Sequence, residues 1–151
     1  MASNVIDNFA GEYRFLSNFY PSPIRVDKVL YSTVEHAFQA AKTHDKAEKQ
    51  EIAEANSPGR AKGLGRKVRL RKDWESVKVG LMRELVELKF RTHADLAERL
   101  LETGDAELIE GNTWNDTFWG VSGGRGKNHL GKALMQVREM LQAEAATRET
   151  A

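Results

Sequence analysis

The chain has 151 residues, 40% hydrophobic and 30% charged, with a formal net charge of +1 and no cysteine. That length suits one domain whose core needs no metal or disulfide staple, and the near-neutral balance excludes a disordered chain and names no partner by global charge. Without cysteine there is no disulfide, thiolate nucleophile or cysteine-based zinc site.

The amino terminus, Met1-Ala-Ser-Asn-Val-Ile-Asp7, has no basic stretch followed by an apolar run. No later segment nears the roughly 20 apolar residues of a membrane span, so a cytoplasmic protein without a membrane partner is expected. Ile24-Arg-Val26 and Val29-Leu-Tyr31 flank Asp27-Lys28 with alternating apolar positions, which predicts a small β-hairpin. From Thr33 to about Asp45 the apolar residues Val34, Ala37, Phe38 and Ala41 recur at helical spacing. Ser57-Pro58 is a helix start, and Asp73 can cap a long helix whose stripe Val77, Leu81, Leu85 and Leu88 reads as core. A helix over roughly 94–102 ends at Gly104, a left-handed C-cap, and Ala106–Glu110 can pair as a strand. The last helix is expected from His129 to about Ala143, capped by Asn128, with Leu130, Leu134, Val137 and Leu141 on one face. These elements predict a helix-dominated α+β fold, a single domain over residues 1–144, with a small antiparallel β element and a frayed tail over 145–151. The polar loop around 111–128 is the conspicuous irregularity, and irregular loops of that length are usually functional or disordered.

Three stretches could carry chemistry. In Thr33-Val-Glu-His-Ala-Phe-Gln-Ala-Ala-Lys42, the residues Glu35, Gln39 and Lys42 share one helix face, since about 100° per residue returns positions 0, 4 and 7 to the same side. There the carboxylate could act as a general base or stabilise positive charge, and the amine could bind phosphate or attack a carbonyl-like carbon. A structural alternative stands beside this: Ser32-Thr-Val-Glu35 matches a capping box, with Glu35 satisfying a backbone donor and Lys42 solvated. The segment Gly59–Lys72 holds seven basic residues and no acid. It lacks P-loop spacing and fits a phosphate-bearing ligand or a nucleic-acid backbone, or else a solvated surface. Trp74, which follows, reads on its own as core. Finally, Gly111-Asn-Thr-Trp-Asn-Asp-Thr-Phe-Trp-Gly120 and the glycine-rich Val121–His129 behind it place Trp114, Trp119 and Asp116 in one loop. The indoles could stack on a flat base, while Asn and Asp could equally be making turns. His36, His44, His93 and His129 form no i,i+4 pair, and Ser17 lacks a nucleophile elbow, so neither a metal site nor a serine hydrolase is expected.

Taken together, Phe15-Leu-Ser-Asn-Phe-Tyr-Pro21, Thr33–Lys42, Asp73-Trp-Glu75, Asn115-Asp-Thr-Phe-Trp-Gly120 and Gly126-Lys-Asn-His-Leu-Gly131 resemble the YbiA/NADAR family of N-glycosidases, in order and spacing, from about residue 9 to 141. The resemblance implies a helical α+β fold and metal-free, cofactor-free cleavage of an N-glycosidic bond. Its expected substrates are phosphorylated: ribosylamino-pyrimidine intermediates of riboflavin biosynthesis, or ADP-ribose on the amino group of guanine, in DNA or RNA. Carried over by position, Glu35 is the catalytic carboxylate, Asp116 protonates the leaving amine or orients the base, and Lys42 permits a Schiff-base route. The same resemblance places Ser17, Asn18, Trp74 and Trp119 in the site; the expected substrate-binding set adds Gln39, Trp114, Asn115, Gly120 and Asn128, with Lys62 and Arg66 on phosphate. A non-catalytic ADP-ribose or nucleic-acid binding module would use the same cations and indoles and need no carboxylate.

Overall fold

A computed structural model describes residues 4–150. Its first elements are β1 (Val5–Ile6), a 3-10 helix (Gly11–Leu16), β2 (Ile24–Val26) and β3 (Val29–Tyr31). The helices α1 (Val34–Ala40), α2 (Lys46–Ala53), α3 (Pro58–Gly65), α4 (Trp74–Thr92) and α5 (Ala94–Glu102) follow. After them come β4 (Glu107–Leu108), β5 (Gly111–Asn112), β6 (Val121–Ser122) and α6 (His129–Thr150). The chain divides into two compact units: one runs from Asn18 to Thr92, and the other joins the residues up to Ser17 with those from His93 onward.

In the 18–92 unit the expected hairpin forms, with Ile24 opposite Tyr31 and Val26 opposite Val29. Asp27 and Lys28 both take positive φ, 48° and 71°, the backbone of a two-residue turn whose twist matches its strands. Behind it α1 packs on α2, α3, α4, β2 and β3, and all seven of its residues are buried. This helix is shorter than the expected run to Asp45: it closes at Ala41, and Asp45 caps α2 by accepting from the Glu48 N–H at 2.9 Å. Ser57 caps α3 as expected, accepting from the Arg60 N–H. Asp73 does precede α4, but its carboxylate is clasped by the Arg71 guanidinium at 2.6 and 3.1 Å, and only its carbonyl serves the helix, accepting from Ser76 and Val77. The buried face of α4 also differs from the expected stripe. It comprises Trp74, Met82, Leu85, Val86, Lys89 and Phe90, while Val77, Leu81 and Leu88 stay half-exposed. A helix packed against several partners buries a broader, rotated arc than the apolar residues alone mark out.

In the other unit α5 packs on α6, and α6 on β4. The expected face of α6, Leu130, Leu134, Val137 and Leu141, is buried. Gly104 ends the α5 segment at φ 63°, as its position predicts. Beyond the hairpin's antiparallel pairing, two parallel pairings appear, β1 with β4 and β5 with β6, each two residues long. The tail expected to fray from residue 145 continues α6 as far as Thr150. Ala143, Ala145 and Ala146 with flanking Glu and Arg are strong helix formers, and no Gly or Pro interrupts them; Ala151 lies outside the described residues.

Candidate active site

The amino end of α1 decides between the two readings of Glu35. The N-cap is Thr33, one residue later than the expected Ser32: its hydroxyl accepts from the His36 N–H at 3.1 Å. His36 closes the cap in place of a glutamate, with Nδ1 2.8 Å from the same hydroxyl and Nε2 donating to the Ala55 carbonyl at 3.0 Å. The Glu35 N–H is met by the Asn18 carbonyl at 3.1 Å. The capping-box reading of Glu35 is therefore corrected. Its carboxylate is left for something else, and the Phe15–Pro21 motif contributes a backbone acceptor to the start of this helix.

That carboxylate is 9% exposed and accepts from the Gln39 side-chain amide at 2.5 Å, the i,i+4 contact that the helical spacing predicts. Burial raises the Glu35 pKa above the ordinary carboxylate value; the Gln39 hydrogen bond and the charges of Lys62, Lys42 and His36 pull the other way. Lys42 lies in the turn just beyond α1, half-buried, and burial lowers its pKa while Glu35 raises it and Arg66, Lys62 and Lys78 lower it. A carboxyl that holds its proton more readily thus shares a cationic neighbourhood with an amine that holds its proton less readily. Pairs of groups tuned in opposite senses are what proton transfer and nucleophilic attack near neutrality require.

The structure sorts the other expected residues of the 18–92 unit. Lys62 and Arg66, from α3 and its C-cap, act on the Glu35–Lys42 pair through charge. The remaining basic segment is partly structural: the Arg71 N–H donates to the Lys42 carbonyl at 2.8 Å, and the Arg69 N–H donates to the Glu48 carboxylate. An open cleft of about 620 Å³ lined by Thr43, His44, Asp45 and Arg69 to Asp73 includes none of Glu35, Gln39 or Lys42. Trp74 is 6% exposed and packs on Phe38 with ring centroids 5.0 Å apart. Asn18 is buried, its amide donating to the Met82 sulfur at 3.4 Å. Sequence reasoning missed His36 as the partner of Thr33, and it missed Lys89, 1% exposed, whose pKa burial lowers to about 7. The signal for Lys89 was present in the i,i+4 step from Leu85, which places the lysine on the buried face.

In the other unit Ser17 ends the 3-10 helix, its N–H donating to the Arg14 carbonyl. The 111–128 loop is organised by its own polar side chains. Asp116 Oδ1 accepts from the N–H groups of Phe118 and Trp119 at 3.2 and 3.0 Å, and Asn112 exchanges hydrogen bonds with the Asp116 backbone at 2.9 and 3.0 Å. Asn115 takes φ 65° and donates its N–H to the Ser122 hydroxyl. The carbonyls of Phe118 and Trp119 then accept from His129 and Leu130, closing the first turn of α6. Asn128, expected to cap that helix, spends its amide on β4 and the residue chain just after it, accepting from the Glu110 N–H and donating to the Leu108 carbonyl. Gly120 abuts Glu110, where a Cβ would have no room. Trp119 is half-buried, edge-on to Phe118 at 4.8 Å and beside His129, whereas Trp114 is 62% exposed. Among the described residues no group of three or more His, Asp or Glu side chains could hold a metal ion, and no helix is long and apolar enough to cross a membrane.

The NADAR domain model matches residues 7–142, a span that runs through both units. N-glycosidase YbiA of Escherichia coli is 46% identical over 136 residues, covering 88% of this chain and 84% of that protein. An N-glycosidase of Nostoc punctiforme is 47% identical over 84% of this chain and 85% of its own length. A riboflavin biosynthesis protein of Vibrio vulnificus is 41% identical over 87% of this chain, which spans 36% of that longer protein. The solution structure of E. coli YbiA superimposes with a TM-score of 0.85 at 42% identity, over 97% of this chain and 90% of the other. The chain belongs to the NADAR family, and with it to the N-glycosidases. Its α+β, helix-rich fold is that of the E. coli protein.

Proposed function

We propose that the chain hydrolyses the bond between ribose C1 and an exocyclic amine of a guanine-like or amino-pyrimidinone base, in a substrate whose sugar carries phosphate. The observation that carries this reading is the buried Glu35 carboxylate, free of capping duty and set in the field of Lys62 and Lys42, with Arg66 acting on Lys42. As the C–N bond breaks, positive charge grows at C1, and a carboxylate lowers that barrier electrostatically or takes the proton of the attacking water. The departing amine leaves with a proton, and the sugar leaves with hydroxyl at C1. Lys62 and Arg66 supply cations for the phosphate. The riboflavin-related name of the Vibrio relative supports an amino-pyrimidinone substrate, and ADP-ribosyl-guanine offers the same linkage on a related ring. Asp116, Trp114 and Trp119, with Asn115, Gly120 and Asn128, are the corresponding proposals for base recognition, and Ser17, Asn18 and Trp74 stay in the proposed substrate-binding set.

The lowered pKa of Lys42 favours a second route. Its neutral amine adds to C1 of the ring-opened sugar, the base amine leaves with a proton, and water then adds to the lysine–sugar imine to release the sugar and restore the amine. The deciding assay offers a ribosylamino-pyrimidine phosphate and guanine-ADP-ribosylated DNA side by side, before and after exhaustive chelation. Release of free base from at least one, unaffected by chelation, is expected; release from neither overturns the substrate assignment. Borohydride added during turnover separates the routes, since only the imine leaves a reduced sugar covalently on Lys42.

A further inference from the structure

Helix α3 ends at Gly65, a buried residue facing α1. A Cβ at that position would fall on the side chain of Gln39, 2.8 Å from its Cδ and 3.1 Å from its Cβ, and nearer still to its Oε1. Gly65 has no positive φ to explain the glycine, so the close approach of Gln39 is what excludes a larger residue. The Gln39 amide is thus seated with its oxygen over the Gly65 backbone and its NH2 on Glu35 Oε2 at 2.5 Å. Gln39 is 4% exposed, and its Oε1 has no hydrogen-bond partner among the described residues. A buried amide with an unmet acceptor would ordinarily turn or leave to satisfy it. An ionised carboxylate can only accept, so the NH2 must face Glu35, and the oxygen is left against the Gly65 backbone, which carries no side chain.

We infer that Gly65 is a positioning residue for Glu35: by presenting bare backbone at the end of α3 it seats the Gln39 amide so that its donor is aimed at the Glu35 carboxylate. Gly65 and Gln39 touch no reacting atom in this account; they fix the rotamer and the ionisation of the residue that does. The same glycine brings α3, with Lys62 and Arg66, into close contact with α1, so one small residue sets both the hydrogen bond and the approach of the cations. The inference rests on the proposed role of Glu35, and its test has a readout that needs no turnover.

The experiment titrates the Glu35 carboxyl by carbon-13 NMR, its signal assigned by its loss in Glu35→Gln, and measures kcat and KM against pH for wild type, Gly65→Ala, Gln39→Met, Gln39→Ala and the double variant Gly65→Ala/Gln39→Ala. Because the Gln39 donor favours the ionised form, losing it must move the midpoint upward. Gly65→Ala and Gln39→Met should each raise the Glu35 midpoint and carry the acid limb of the kcat profile to higher pH by about one unit, a typical worth of one charge-assisted hydrogen bond. On the acid limb, at a pH below both midpoints, kcat should fall about tenfold with KM changed less than threefold. Gln39→Ala should remove most of the obstruction, so adding Gly65→Ala to it should cost little more than Gln39→Ala alone. Should Gly65→Ala prove too unstable to assay, Gln39→Met and the double variant carry the test. An unmoved Glu35 midpoint in Gln39→Met, or losses that add in the double variant, overturns the inference even where Glu35→Gln has abolished activity; activity retained in Glu35→Gln overturns the proposed catalytic role instead.

Discussion

Helix α1 and the 111–128 loop are both rich in polar side chains and use them in opposite ways. The loop's Asn112, Asp116 and Asn128 bind backbone: they accept from or donate to main-chain groups within a few residues or on a neighbouring strand, and they make an irregular path hold one shape. In α1 the division is sharper. Thr33 and His36 take the backbone work at the cap, and the side chains of Glu35 and Gln39 are buried facing each other with no backbone partner among the described residues. Burying a carboxylate without a backbone partner is costly, and that cost is why the proposed chemistry is placed at Glu35. The family resemblance makes Glu35 the catalytic carboxylate and leaves Asp116 to protonate the leaving amine or orient the base; the hydrogen bonds give Asp116 backbone work that Glu35 does not have.

The comparison is broken or sharpened most strongly at Glu35. Glu35→Gln is expected to leave thermal unfolding within a few degrees and to lower turnover by roughly a hundredfold or more, read by paired melting and base-release assays. A variant that melts far lower while its folded fraction turns over normally would return α1 to the loop's category. Lys89 extends the comparison to the floor of the same unit. Its pKa of about 7, against the ordinary 10.5, means the folded state releases a proton near pH 7 that the unfolded chain keeps to about 10.5. Stability should therefore rise with pH between those limits, by a few kcal/mol. Chemical denaturation of Lys89→Met at pH 6.5 and 9.5 should show that rise flattened, and an unchanged slope would remove Lys89 from the account.

On the loop side the effects are expected to be smaller. Trp119→Ala should weaken binding of ADP-ribose or ribose 5-phosphate by roughly 1–3 kcal/mol if the indole meets ligand, with a modest melting loss from its contacts with Phe118 and His129. Unchanged affinity per folded molecule would make the loop purely structural. Asp116→Ala removes acceptors for two N–H groups, and a cap-like loss of about 1 kcal/mol is expected. If turnover instead falls a hundredfold with stability intact, Asp116 belongs with Glu35 and the contrast between the two regions fails.

Local rules carried much of this protein into its sequence. The hairpin at Asp27-Lys28, the Ser57-Pro58 helix start, the Gly104 stop and the Leu130–Leu141 face are set by turn chemistry, caps and periodicity, and each formed where those predict. The motif order was sufficient to resemble one family, and the Glu35–Gln39–Lys42 spacing anticipated a hydrogen bond and a shared field. Periodicity could not say how far a buried helix turns, so α4 hid Lys89 where Leu88 was expected. Capping rules alone could not choose between Ser32 and Thr33, because that choice depends on the Ala55 carbonyl reaching His36 from nineteen residues away. Only packing decided that Gly65 lies against Gln39. A sequence states what each residue can bond to; which bonds are made, and which group is left free to react, depends on the partners that the tertiary fold brings within reach.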